Sequence, residues 1–108
     1  MLVSEHIGLE GIGNEKRDYI WALWRQANRY HYASLQDRDP VVAMRHNGYA
    51  VALIDALRDL AGEEEIKTVT GESAQKKRQE IIAVQDRMET VALTLLNELK
   101  KKGLSLNF

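Results

Sequence analysis

His31, His46, Asp86 and Glu89 are the residues of this chain whose types and spacing could do chemistry. Two imidazoles and a carboxylate that converge inside a helical bundle can hold zinc or relay a proton. Convergence depends on where the chain turns. If a short connection is centred between Arg38 and Asp39, residues equidistant from it face one another across an antiparallel helix pair. His31 then meets His46, and Asn28 meets Tyr49. A later connection centred near Lys67 would bring Asp86 and Glu89 to the level of His46. The plainer reading fits these residues better. Histidine and aromatic side chains beside an apolar stripe are usually core or boundary residues whose polar tips find a hydrogen bond. No metal and no cofactor is therefore expected, and these four residues are the set to inspect.

Two further groupings carry some chemistry. Asp55 and Asp59 lie one helical turn apart, and Asp86 and Glu89 nearly so. Two such pairs face to face could hold Mg²⁺, as in helical nucleotide pyrophosphohydrolases. The paired-glutamate motif of those enzymes is not reproduced, and Arg58 and Arg87 offer ordinary ion-pair partners. Trp21, Trp24, Arg25, Arg29, Tyr30 and Tyr32 form an aromatic and arginine mixture. Such a mixture can stack on bases, but it also describes a protein-binding hot spot or a core flanked by solvated arginines. Core is the expected role for most of it, with Trp21 and Trp24 as interface candidates.

Other catalytic signatures are missing. There is no phosphate-binding loop, no H-E-x-x-H and no G-x-S-x-G. Gly8, Gly11 and Gly13 do not have the dinucleotide spacing. The absence of cysteine removes thiolate catalysis and disulfides together. No secretory leader and no membrane span is expected, so a cytoplasmic setting is the default. Charge is near balance but uneven. Residues 1–71 carry 8 Lys/Arg against 11 Asp/Glu, and residues 72–108 carry 7 against 5. That surplus is too small for an electrostatic nucleic-acid footprint, so nucleic acid is not an expected partner.

The elements that must position these residues are helical. Ile81, Val84, Met88, Val91 and Leu95 recur in steps of three and four, and Ile82, Ala92, Leu96 and Leu99 widen the stripe. That pattern predicts a long amphipathic helix over 71–102, with Thr70 as its cap and Gly103 as its stop. An earlier helix is expected over 14–36, capped by Asn14, with Ile20, Leu23, Ala27 and Tyr30 on its inner face. Asp39-Pro40 predicts a boundary, because an aspartate cap followed by proline at the first helical position starts a helix. The next helix is expected over 40–61, its inner face running through Val42, His46, Tyr49, Leu53, Ala56 and Leu60. Asn47-Gly48 could be a turn, but the pattern keeps phase across it, so one helix with a close backbone contact at Gly48 is expected. Residues 62–70 are expected to connect, and residues 1–13 to form an irregular arm that docks on the bundle or on a partner.

The sequence therefore predicts one all-α domain of 108 residues, an antiparallel up-down-up three-helix bundle. The third helix outruns the other two. Its surplus length carries Leu95, Leu96 and Leu99, which need a cover. A homo-oligomer and a protein partner are the expected company. The expected function is a small interaction or assembly module, homodimeric, with no readable catalytic motif; the alternatives are a metal-dependent enzyme with carboxylate or histidine ligands in the bundle, similar to helical nucleotide pyrophosphohydrolases, and a nucleic-acid-binding regulator.

Overall fold

The computed structural model describes residues 12–103. Most of the expected arm and the apolar run Leu104, Leu106 and Phe108 lie outside the described residues. The described residues form an all-α structure of four helices and no strand: α1 (Asn14–Gln36), α2 (Pro40–Leu60), α3 (Glu63–Thr70) and α4 (Ala74–Lys101).

Four helices rather than three is a correction. The stretch expected to be a connection forms α3, despite the β-propensity of Ile66, Thr68 and Val69. Glu63, Glu64 and Glu65 sit in its first turn, where the helix dipole favours negative charge. The Glu65 carboxylate also accepts from the Gly62 N–H at 3.1 Å. Ile66 and Val69, three apart, are its buried face. Gly71, at φ +81°, closes the helix in the left-handed region that glycine enters without strain. Thr70 consequently ends α3 instead of capping the long helix. Ser73 takes that role, its Oγ accepting from the Lys76 N–H at 3.1 Å.

α1 starts one residue earlier than an Asn14 cap implies, with Gly13 in the cap position and no side-chain cap bond. α1 and α2 pack along their lengths, and α4 lies along α2. Asp55 faces Arg78, while Asn47 faces Ile81 and Gln85, so numbering on α2 and α4 runs in opposite senses. α3 is tied to α1 by Lys16 and Glu65 at 2.9 Å. It is tied to the start of α4 by the Glu63 carboxylate, which accepts from Ser73 Oγ at 2.6 Å. The Lys16 ammonium and the Gly62 N–H hold the Glu65 carboxyl below its ordinary pKa. That contribution is present above the ordinary carboxylate pKa and fades as pH falls through the lowered value.

The core is built on Ile20, Ile54, Leu57, Ile66 and Ile81, all fully buried. Burial of each contributes about 1.5–3 kcal/mol. On α2 the buried residues are Ala43, Asn47, Ala50, Ile54 and Leu57. Each lies one position after the residue expected there. Tyr49 is left 47% exposed and Leu60 38%. The helix is turned by about one residue, roughly 100°, because small alanines let α1 and α4 approach it closely. On α1 the buried line is Ile20, Trp24, Ala27, His31 and Ser34, with Leu23 and Tyr30 half-buried at its edge.

α2 passes through Asn47-Gly48 without a break. The close backbone contact expected at Gly48 is not there: an added Cβ would meet only Gln85 Nε2, at 3.8 Å, which is ordinary contact. At the Asp39-Pro40 junction, Asp39 Oδ1 accepts from the N–H groups of Val41 at 2.8 Å and Val42 at 3.3 Å. Asp39→Ala removes that cap and should lower stability by about 1 kcal/mol. An unchanged urea midpoint would contradict this.

Candidate functional site

The two histidines sit in different surroundings. His31 is buried, and its Nδ1 lies 2.8 Å from Asn47 Oδ1. Asn47 is fully buried where α2 meets α4. Its Nδ2 donates to the Ile81 carbonyl at 2.9 Å and to Gln85 Oε1 at 3.0 Å. Both amide hydrogens are thereby used, so Oδ1 is the acceptor and His31 Nδ1 carries the proton. Ser34 Oγ lies 3.2 Å from the same oxygen and donates to the His31 carbonyl. One amide thus joins α1, α2 and α4. Among the described residues no buried side-chain polar atom lacks a partner. These bonds specify how the three helices pack at this junction.

His46 is half-buried, its Nδ1 2.7 Å from Asp37 Oδ2 across the α1–α2 connection. Tyr30 and Tyr49 pack beside it, with Tyr30 ring centroids 5.8 Å from His46 and 5.3 Å from Tyr49. His31 takes Asn47 as its hydrogen-bond partner and His46 takes Asp37. The cause is the same one-residue rotation of α2, which turns Asn47 inward and His46 to the edge. Asp37 is a partner that helical periodicity does not reveal. Its signal was its position just after α1, within reach of the first turns of α2.

Asp86 and Glu89 are exposed on α4, and Glu89 accepts only a 3.5 Å bond from Gln85. Among the described residues, no three His, Asp or Glu side chains come together in a group that could hold a metal. Asp55 pairs with Arg78, which holds the guanidinium pKa above its ordinary value, and Asp59 faces solvent.

The aromatic and arginine mixture is divided among several surroundings. Trp24 is core, and the Lys77 ammonium sits 5.9 Å from the centroids of both Trp24 and Tyr32. Lys77 is itself buried, reaching Glu80 at 3.3 Å. Cation–π contact and that carboxylate offset its desolvation. Lys76, Lys77 and Arg78 are consecutive, yet Lys76 is exposed, Lys77 buried and Arg78 paired with Asp55. Trp21, 38% exposed, stays at the surface with Arg25 and Arg29.

The remaining feature is apolar. All buried residues of α4 lie between Ala74 and Val84. Beyond them Val91, Leu93 and Leu95 are exposed, and Leu96 and Leu99 half-buried. Leu93, at 61%, is the most exposed large hydrophobic among the described residues. A groove runs between α4 and the first turns of α2, lined by Val41, Met44, Glu89, Ala92, Leu93 and Leu96. No described helix is long and apolar enough to cross a membrane. No family model, curated protein or solved structure matches this chain.

Proposed function

We propose that this chain is a small helical interaction and assembly module that associates as a homodimer through the C-terminal half of α4. In this reading α1, α2 and α4 make an up-down-up unit, α3 bridges α1 to α4, and the setting is cytoplasmic. One observation carries the reading. The apolar stripe of α4 continues through Met88, Val91, Ala92, Leu95, Leu96 and Leu99, while its burial stops at Val84. α4 has 28 residues against 21 in α2, or about 42 Å against about 32 Å. A run of large aliphatics beyond the supporting helices marks a contact surface. The bonds that Asn47 makes to α1 and α4 favour the same reading, because they give this buried amide a structural role.

Sedimentation velocity of the native chain tests this. The expected result is a dimer that Leu95→Glu together with Leu99→Glu converts to a monomer with an unchanged helical spectrum. Both positions lie beyond the buried part of α4, so the fold should survive. A native chain that is monomeric at every concentration would refute the reading, and a folded double variant with unchanged mass would refute Leu95 and Leu99 as its contact line.

A further inference from the structure

The groove beside α4 has a pattern along its wall that selects its occupant. Glu89, Leu93, Leu96 and Lys100 follow one another at steps of four, three and four. On an α-helix those steps place all four on one face. The face belongs to the groove, since Glu89, Leu93 and Leu96 line it together with Val41 and Met44 of α2. Read along the helix, the order is acid, leucine, leucine, base. Reversing the helix exchanges acid with base and leucine with leucine, so the face is complementary to itself only when antiparallel. A parallel copy would set Glu89 against its own counterpart and Lys100 against its own.

Resting on the assembly reading above, we propose that the groove is occupied by α4 of a second copy of this chain, running antiparallel about a two-fold axis. Leu93 packs on Leu96 of the partner subunit, and Glu89 pairs with Lys100 of the partner subunit. Each contact occurs twice, as an isologous interface requires. The residues are available for it. Leu93 is 61% exposed and Val41 52%. Among the described residues Lys100 makes no ion pair, and Glu89 makes none either. Antiparallel placement also sets the helix dipoles in opposition, a small favourable term.

The register is tested by charge exchange in the full-length chain, read by sedimentation equilibrium at low salt. Glu89→Lys alone places like charges across both symmetric contacts, and so does Lys100→Glu alone. Each should raise the dimer Kd roughly tenfold. Mixing the two single variants restores opposite charges at both contacts, so a heterodimer near native affinity should form. Leu93→Asp should abolish dimerisation while leaving the thermal unfolding of the dilute monomer unchanged. A dimer sensitive to Leu95 and Leu99 but indifferent to Leu93, Glu89 and Lys100 overturns this arrangement and leaves the assembly reading standing. Single variants that weaken the dimer without recovery on mixing overturn the antiparallel register. A native chain that is monomeric at every concentration overturns both, and directs the groove to a different protein or to residues 104–108 of the chain itself.

Discussion

Trp24→Ala should destabilise the fold by about 3–5 kcal/mol, the range for deleting a buried large aromatic. Trp24 is only 5% exposed and packs with Ile20 and Ala27 in the core cluster. Truncation removes its transfer free energy and leaves a cavity that backbone packing closes only in part. It also takes away one of the two rings facing the Lys77 ammonium, which is 8% exposed. Trp21→Ala, at a position 38% exposed, should cost about 1 kcal/mol or less. Urea unfolding measures both, with an unchanged m-value confirming that the denatured state is not the cause. The contrast separates core from interface. A Trp24 variant that loses little stability but changes its association state would make Trp24 a contact residue instead.

Asn47→Ala should cost about 3 kcal/mol. The His31 Nδ1–H loses its acceptor and Gln85 loses a donor, in a site without solvent access for the asparagine. A buried polar group left unpaired costs about 1–3 kcal/mol, and the missing side chain adds a packing loss. Replacing both ends, His31→Leu with Asn47→Leu, removes the stranded donor along with its acceptor. The double variant should therefore cost less than the sum of the two single variants, by roughly 1–3 kcal/mol of coupling. Strict additivity in the double-mutant cycle would show that the two side chains do not act on one another, and would refute the role assigned to Asn47.

Neither prediction could be written from the sequence. Hydrophobic periodicity weighs large side chains most, so on α2 it selected the line through Val42, His46, Tyr49 and Leu53. The buried line runs through Ala43, Asn47, Ala50 and Ile54. Alanine scores weakly and asparagine scores against burial, yet both sit inside because close helix approach needs small residues and the amide meets its partners there. The same displacement by one residue gave His31 the partner Asn47 and left His46 to Asp37.

The sequence by itself determined what depends on near neighbours in the chain. The all-α class follows from the three-and-four spacing of apolar residues. The start of α2 follows from Asp39 and Pro40, whose cap bonds reach only two and three residues ahead. The uncovered length of α4 follows from where its apolar pattern continues. Tertiary structure alone decided the rest. α3 exists because Ile66 and Val69 find the core and because the charges of Glu63 and Glu65 reach Ser73 and Lys16, 10 and 49 residues away. Asn47 is a clasp because Gln85 and Ile81 arrive from 38 and 34 residues further along the chain. A polar residue carries no mark in sequence of whether its partner will be water or protein. That depends on which way its helix is rotated, and packing against the other helices sets the rotation.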